Sequence, residues 1–266
     1  MKTQLWIIVA LLFIGSVALF SCENSKSKET EIATSYQKLS NEESIDAEIK
    51  TIDDEIAKSD QIANSLNYSK ENGEAIQVIA HLSSNNEILK LEEKFTGGEG
   101  KNTGKILYYL KNGIPFTTKE LFEDYTDAQH PKFVERISYY DVKGNVMATK
   151  EKRVNYEEEL PNVNYVSAPK HTCKMDKAMR VLNQKGEFEL TFQGFVETDA
   201  LNYLIVGQPG ENGYTSAMRI EFNDKFIVDA FKNQRKYLNR KCRVSFAVSE
   251  NSGFEYQVYT GGEWLD

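Results

Sequence analysis

The chain has 266 residues, 27% of them charged, with 32 Lys and Arg against 40 Asp and Glu and a formal net charge of −8. That length allows one or two domains with a real hydrophobic core. The acidic balance argues against nucleic acid and anionic lipid head groups as partners, because both are bound through a basic electrostatic footprint.

The first segment reads as a leader. Lys2 supplies a positive n-region, and residues 5–20 form an uncharged apolar run. The run is shorter than the roughly 20 apolar residues that span a bilayer and suits the core of a signal peptide. It ends in Leu19-Phe20-Ser21-Cys22, which resembles the lipobox of bacterial lipoproteins, with Phe20 where a small or β-branched residue is usual. The resemblance implies cleavage before Cys22 and lipidation of that cysteine, so that acyl chains such as palmitate hold the protein in a membrane. Two or three chains anchor stably where one is marginal. The expected address is the cell envelope, at the outer membrane, on its periplasmic or its surface face. An uncleaved N-terminal anchor is the alternative, and it also leaves the remainder outside the cytoplasm. With Cys22 taken by lipid, Cys173 and Cys242 form an even pair in a compartment that permits disulfides. A bond between them is expected, with two separately buried thiols as the alternative.

Residues 22–39 are Ser-, Lys-, Glu- and Thr-rich, as in a flexible tether. Ser40-Asn41-Glu42-Glu43 reads as a capping box. After it Ile45, Ile49, Ile52, Ile56, Ala63 and Leu66 recur at spacings that predict an amphipathic helix about 25 residues long. The period then changes to alternation. Ile76, Val78, Ala80 and Leu82 lead through Ser83–Asn86 into 87–95, and 97–102 is a glycine-rich loop. Strand 105–111 meets Asn112-Gly113, a strong hairpin signal because both residues tolerate positive φ, and a third hairpin is centred on 142–145. Helix plus hairpins predicts an α+β domain over 40–154, an antiparallel meander with the helix on one face. Residues 155–172, with Glu157-Glu158-Glu159, Pro161 and Pro169, lose periodicity and are assigned as a linker.

The remainder, 173–266, opens with a short helical piece at 174–184. Strands are expected at 188–196, 201–206 and 218–222, a helix at 224–239 with Ile227, Ala230, Phe231 and Leu238 inward, and a hairpin formed by 243–248 and 254–259. Three strands, a helix and two strands, with Gly194-Phe195-Val196 as a kink in the first, resemble the OB-fold. That resemblance implies a small five-stranded barrel with a helix between its third and fourth strands.

Catalytic signatures are missing from the sequence. No GxSxG, GxGxxG or GxxxxGK[ST] occurs. His81, His130 and His171 are isolated and read as structural or surface residues. No Cys/His spacing suggests a metal, and no cofactor is expected. Carboxylate pairs for glycoside hydrolysis stay open, since 40 acidic residues guarantee chance pairings. Tyr203, Tyr214, Tyr256, Tyr259 and Trp264 are the candidate ligand-binding aromatics, able to stack on sugars if they share a barrel face, although core packing accounts for aromatics on strands equally well. The leading expectation is a non-enzymatic, lipid-anchored envelope protein that binds a protein partner through its sheet faces or long helix. A carbohydrate- or peptidoglycan-binding module comes second, and a hydrolase with acidic catalysts third.

Overall fold

The computed structural model describes residues 42–59, 61–198, 201–251 and 253–265. The leader, the lipobox with Cys22, the tether and the Ser40-Asn41 half of the capping box lie outside the described residues. The class is α+β, dominated by antiparallel sheet. The chain divides into a larger unit, ending at Phe188 and including Gly210–Tyr214, and a smaller one made of Glu189–Pro209 and the residues from Thr215 onward.

In the larger unit α1 spans Glu42–Ile56 and buries Ile45, Ile49 and Ile52. Spacings of four and three put these on one stripe, and Glu42 and Glu43 in the first turn complement the positive end of the helix dipole. The helix stops about ten residues short of expectation. Ala63 lies in β1 (Ile62–Asn64), and Leu66, buried in the loop beyond it, precedes β2 (Tyr68–Ser69). Both short strands pair with β3 (Ala75–Leu82). Their apolar residues happen to continue the helical spacing, but strand pairing satisfies their backbone instead.

From β3 the sheet is a meander. The sequence of strands is β4 (Ile88–Thr96), β5 (Gly104–Lys111), β6 (Ile114–Asp124), β7 (Lys132–Tyr140), β8 (Val146–Val154) and β9 (Val166–Ser167), each antiparallel to its neighbour. The β5–β6 turn uses Asn112 and Gly113 at φ +53° and +77°, the conformation the Asn-Gly signal demands. One face of the meander packs Tyr109, Phe116, Ile137 and Tyr139 against the isoleucines of α1. Asp53 at the helix rim is shared by Lys90 Nζ (2.8 Å) and the Tyr109 hydroxyl (3.1 Å). The opposite face carries Tyr108, Thr118, Ser138 and Tyr140, all buried.

The expected linker at 155–172 is instead part of this unit. Glu157–Asn162 forms a 3-10 turn that buries Leu160, Tyr165 packs against the α1 core, and β9 extends the sheet. The chain stays with this unit through α2 (Asp176–Leu182), which lies against β3, and on to Phe188. There the Tyr68 and Phe188 rings meet edge to face at 5.1 Å, and the Tyr68 hydroxyl donates to Phe188 O at 3.0 Å. The helical piece expected at 174–184 is present as α2, with Ala178 and Val181 buried, whereas the anchors Leu160 and Tyr165 before it are too isolated to leave a periodic signal.

The smaller unit has β10 (Thr191–Glu197), β11 (Asn202–Gly207), β12 (Thr215–Ile220), α3 (Lys225–Lys232), α4 (Gln234–Tyr237), β13 (Cys242–Asn251) and β14 (Phe254–Trp264). Its pairing order is β10-β11-β12-β14-β13, antiparallel except for β12 with β14, which run parallel at Arg219 and Val258. β10 carries a bulge between Phe192 and Gly194, with Gly194 at φ +125°, a conformation that glycine adopts without steric cost. The sheet is open: among the described residues Thr191 of β10 meets Lys241, the residue before β13, in an isolated bridge rather than a ladder. Closure into the expected barrel therefore goes no further than that bridge and three adjoining backbone bonds, such as Cys242 N–H to Leu190 O at 3.1 Å.

The helix expected over 224–239 is broken at Asn233 into α3 and α4. Asp224 caps α3 by accepting from the Ile227 N–H at 2.9 Å. Ile227 and Ala230 point inward as expected, whereas Leu238 is 52% exposed and Tyr237 takes the buried position. The disulfide is not formed: both cysteines are free thiols. Cys173 belongs to the larger unit and Cys242 to the smaller. Cys242 is buried where β13 begins, and burial pushes its thiol up to about 12.

Candidate functional site

The five candidate aromatics do not assemble into one binding face. Tyr214 belongs to the larger unit, where its hydroxyl donates to Glu74 and its ring packs 4.7 Å from that of Phe188. Tyr259 is fully buried and donates to Asp224 Oδ2 at 2.8 Å. Trp264 lies with its ring 4.5 Å from those of both Phe226 and Tyr237, and its indole N–H donates to Asp229 Oδ2 at 3.1 Å. Tyr203 and Tyr256 remain half-buried, the latter beneath the Arg219 guanidinium at 5.3 Å. Tyr259 and Trp264 are thus packed into the smaller unit and Tyr214 into the larger one, each with its polar end hydrogen-bonded.

The three histidines have separate environments. His81 on β3 has neither ring nitrogen hydrogen-bonded, and burial, then the nearby Lys90, holds its pKa below the ordinary value. His130 is exposed and sits 3.0 Å from Asp127. His171 lies on the strap between β9 and α2, against Glu120.

Two features of the larger unit offer sites. The first is an open groove of about 690 Å³ on the sheet. Gln77, Lys94, Lys105 and Leu121 occupy one cross-strand row, two residues along from the row of Leu107 that α1 covers. Gly104 is in the lining, and a Cβ there would meet Leu121 O at 2.5 Å, so close strand approach requires glycine. Apolar Leu121, Phe122 and Phe133 stand beside Glu92, Lys94, Lys105 and Glu123.

The second is a buried polar cluster on the other face. Glu120 of β6 is 7% exposed, yet its Oε1 has no hydrogen-bond partner. His171 Nε2 lies 3.4 Å from Glu120 Oε2, and one ligand atom from each of Glu120, His171 and Cys173 lies within 4.8 Å of the others. Arg136 Nη1 stands 3.7 Å from Glu120 Oε1, and its Nη2 is 3.2 Å from Glu151. The strap is pinned to the sheet. His171 N–H donates to Thr149 Oγ1 at 3.0 Å, Cys173 N–H donates to the Tyr140 hydroxyl oxygen at 3.1 Å, and that hydroxyl also meets Thr118 Oγ1 at 3.1 Å. Burial, then the Glu120 carboxylate, pushes the Cys173 thiol well above its usual range, so the thiol proton is retained beside the carboxylate.

Nothing in the sequence analysis singled out this trio. His171 and Cys173 are two residues apart, a weak signal, and Glu120 is brought to them only by the meander. Comparison with protein-family models, with curated proteins and with solved structures finds no match for this chain.

Proposed function

We propose that this chain is a non-enzymatic, lipid-anchored envelope protein that binds another protein through the sheet groove of its larger unit. The leader ending at Cys22 supports the anchor. The groove carries the binding reading: its lining mixes apolar Leu121, Phe122 and Phe133 with two lysines and three glutamates, and protein interfaces combine apolar contact with polar and charged groups in this way. An extended segment laid over an open sheet strip of this kind is held by shape and by charge pairing at the edges.

For the smaller unit we retain the OB-type reading. The strand order, the parallel β12–β14 pair, the helices between third and fourth strands and the Gly194 bulge all support it. The carbohydrate-binding alternative is left with little, since Tyr214, Tyr259 and Trp264 are engaged in packing and hydrogen bonds.

A photo-cross-linking residue placed at Lys105 or Leu121 in the membrane-anchored protein tests the groove, with Lys50 and Asp54 on the exposed side of α1 as controls. Adducts of one discrete mass from the groove positions alone are expected. Equal adducts at all four positions, or none, contradict the reading.

A further inference from the structure

We propose that Glu120, His171 and Cys173 bind a divalent transition-metal ion of the zinc class, leaving one coordination position toward solvent. The donor set is one carboxylate oxygen, one imidazole nitrogen and one sulfur. That combination suits a borderline-soft ion and does not suit magnesium or calcium, which take oxygen ligands. Tetrahedral zinc bonded at about 2.0–2.3 Å places its ligand atoms about 3.3–3.8 Å apart. The 3.4 Å from His171 Nε2 to Glu120 Oε2 already matches one such edge, and the 4.8 Å bound on the cluster requires a closure of only about 1 Å.

Independent of this spacing, a carboxylate more than nine-tenths buried keeps an oxygen without a hydrogen bond, which is costly unless something binds it. Among the described residues Arg136 is the arginine that faces Glu120, at 3.7 Å, and it is shared with Glu151, which Arg153 also meets at 3.6 Å. Binding exchanges the Cys173 S–H for an S–metal bond and releases one proton to solvent. The strap is held for this by the Thr149 and Tyr140 hydroxyls, which fix the backbone of two ligands before any ion arrives. His171, with 42% of its side chain exposed, lies on the side from which an ion enters and a fourth ligand binds.

The test uses the full-length lipoprotein in detergent, stripped with a chelator and titrated with Co²⁺ and then Zn²⁺. One Co²⁺ per chain is expected, with an intense near-ultraviolet sulfur-to-cobalt band and visible bands of a tetrahedral ion, all bleached by Zn²⁺. Cys173→Ser removes the sulfur band, His171→Asn weakens binding by at least about 100-fold, and Cys242→Ser changes neither. Circular dichroism verifies folding of each variant, and His171→Asn decides the matter if Cys173→Ser does not fold. A silent titration, a sulfur band that survives Cys173→Ser or depends on Cys242, or unchanged affinity in His171→Asn overturns the site.

Discussion

Replacing Ile45 with alanine tests how α1 is held on the sheet. Ile45 has no exposed surface and packs in a cluster with Tyr109, Phe116, Ile137 and Tyr139. The substitution deletes three buried carbons, worth about 0.8 kcal/mol each on transfer and so about 2.4 kcal/mol. The hydrogen-bonded sheet and its large aromatic side chains collapse poorly into the vacated space, and the cavity raises the loss to about 3–4 kcal/mol. With a urea slope of about 2–3 kcal/mol/M, the midpoint should fall by about 1–2 M. Urea titration followed by far-ultraviolet circular dichroism measures this. Lys50→Ala is the control, because its pairing with Asp54 is largely exposed and such pairs are worth about 0–1 kcal/mol. A midpoint shift for Ile45→Ala no larger than the control's would refute the packing of α1 on the meander.

Three further outcomes follow from the same structure. Native protein at pH 8 should leave the Cys242 thiol unmodified by iodoacetamide, since burial holds its pKa up to about 12; after unfolding without reductant both Cys173 and Cys242 should alkylate, and recovery of a linked Cys173–Cys242 peptide would contradict the free thiols. The Thr126 hydroxyl and then Arg153 hold Asp124 at a pKa of about 2, below the unfolded value of about 3.9. Its contribution to stability is therefore complete above about pH 4 and lost as pH falls toward 2, so Asp124→Asn should flatten the pH dependence of the urea midpoint in that window, and an unchanged profile would count against the interaction. Tyr259→Phe removes a buried donor to Asp224 and should cost about 1–3 kcal/mol by thermal unfolding, whereas a neutral result would mean that the hydroxyl is not paired.

Much of the fold was legible where local signals and tertiary packing agree. The isoleucine stripe of α1, the Asn112-Gly113 turn and the alternating strands each follow from one residue type at one spacing. Legibility failed where chance spacing mimicked a period, as when Ala63 and Leu66 prolonged the helix on paper, and where anchors were sparse, as between residues 155 and 172. Alternation along β14 gives the face of Tyr259 but cannot say whether that face is a core or a platform; Phe226, Tyr237 and Asp224 decide it, and they come from another segment. The Glu120–His171–Cys173 cluster is a consequence of topology, since β6 and the strap meet only once the meander has folded.

The most direct test of the account is the mass of the intact protein extracted from membranes of the native host. Cleavage before Cys22 with acyl chains on that cysteine is the predicted result, fixing where the groove and the cluster operate. A chain that retains Met1, or a Cys22 thiol without fatty acid, would contradict it.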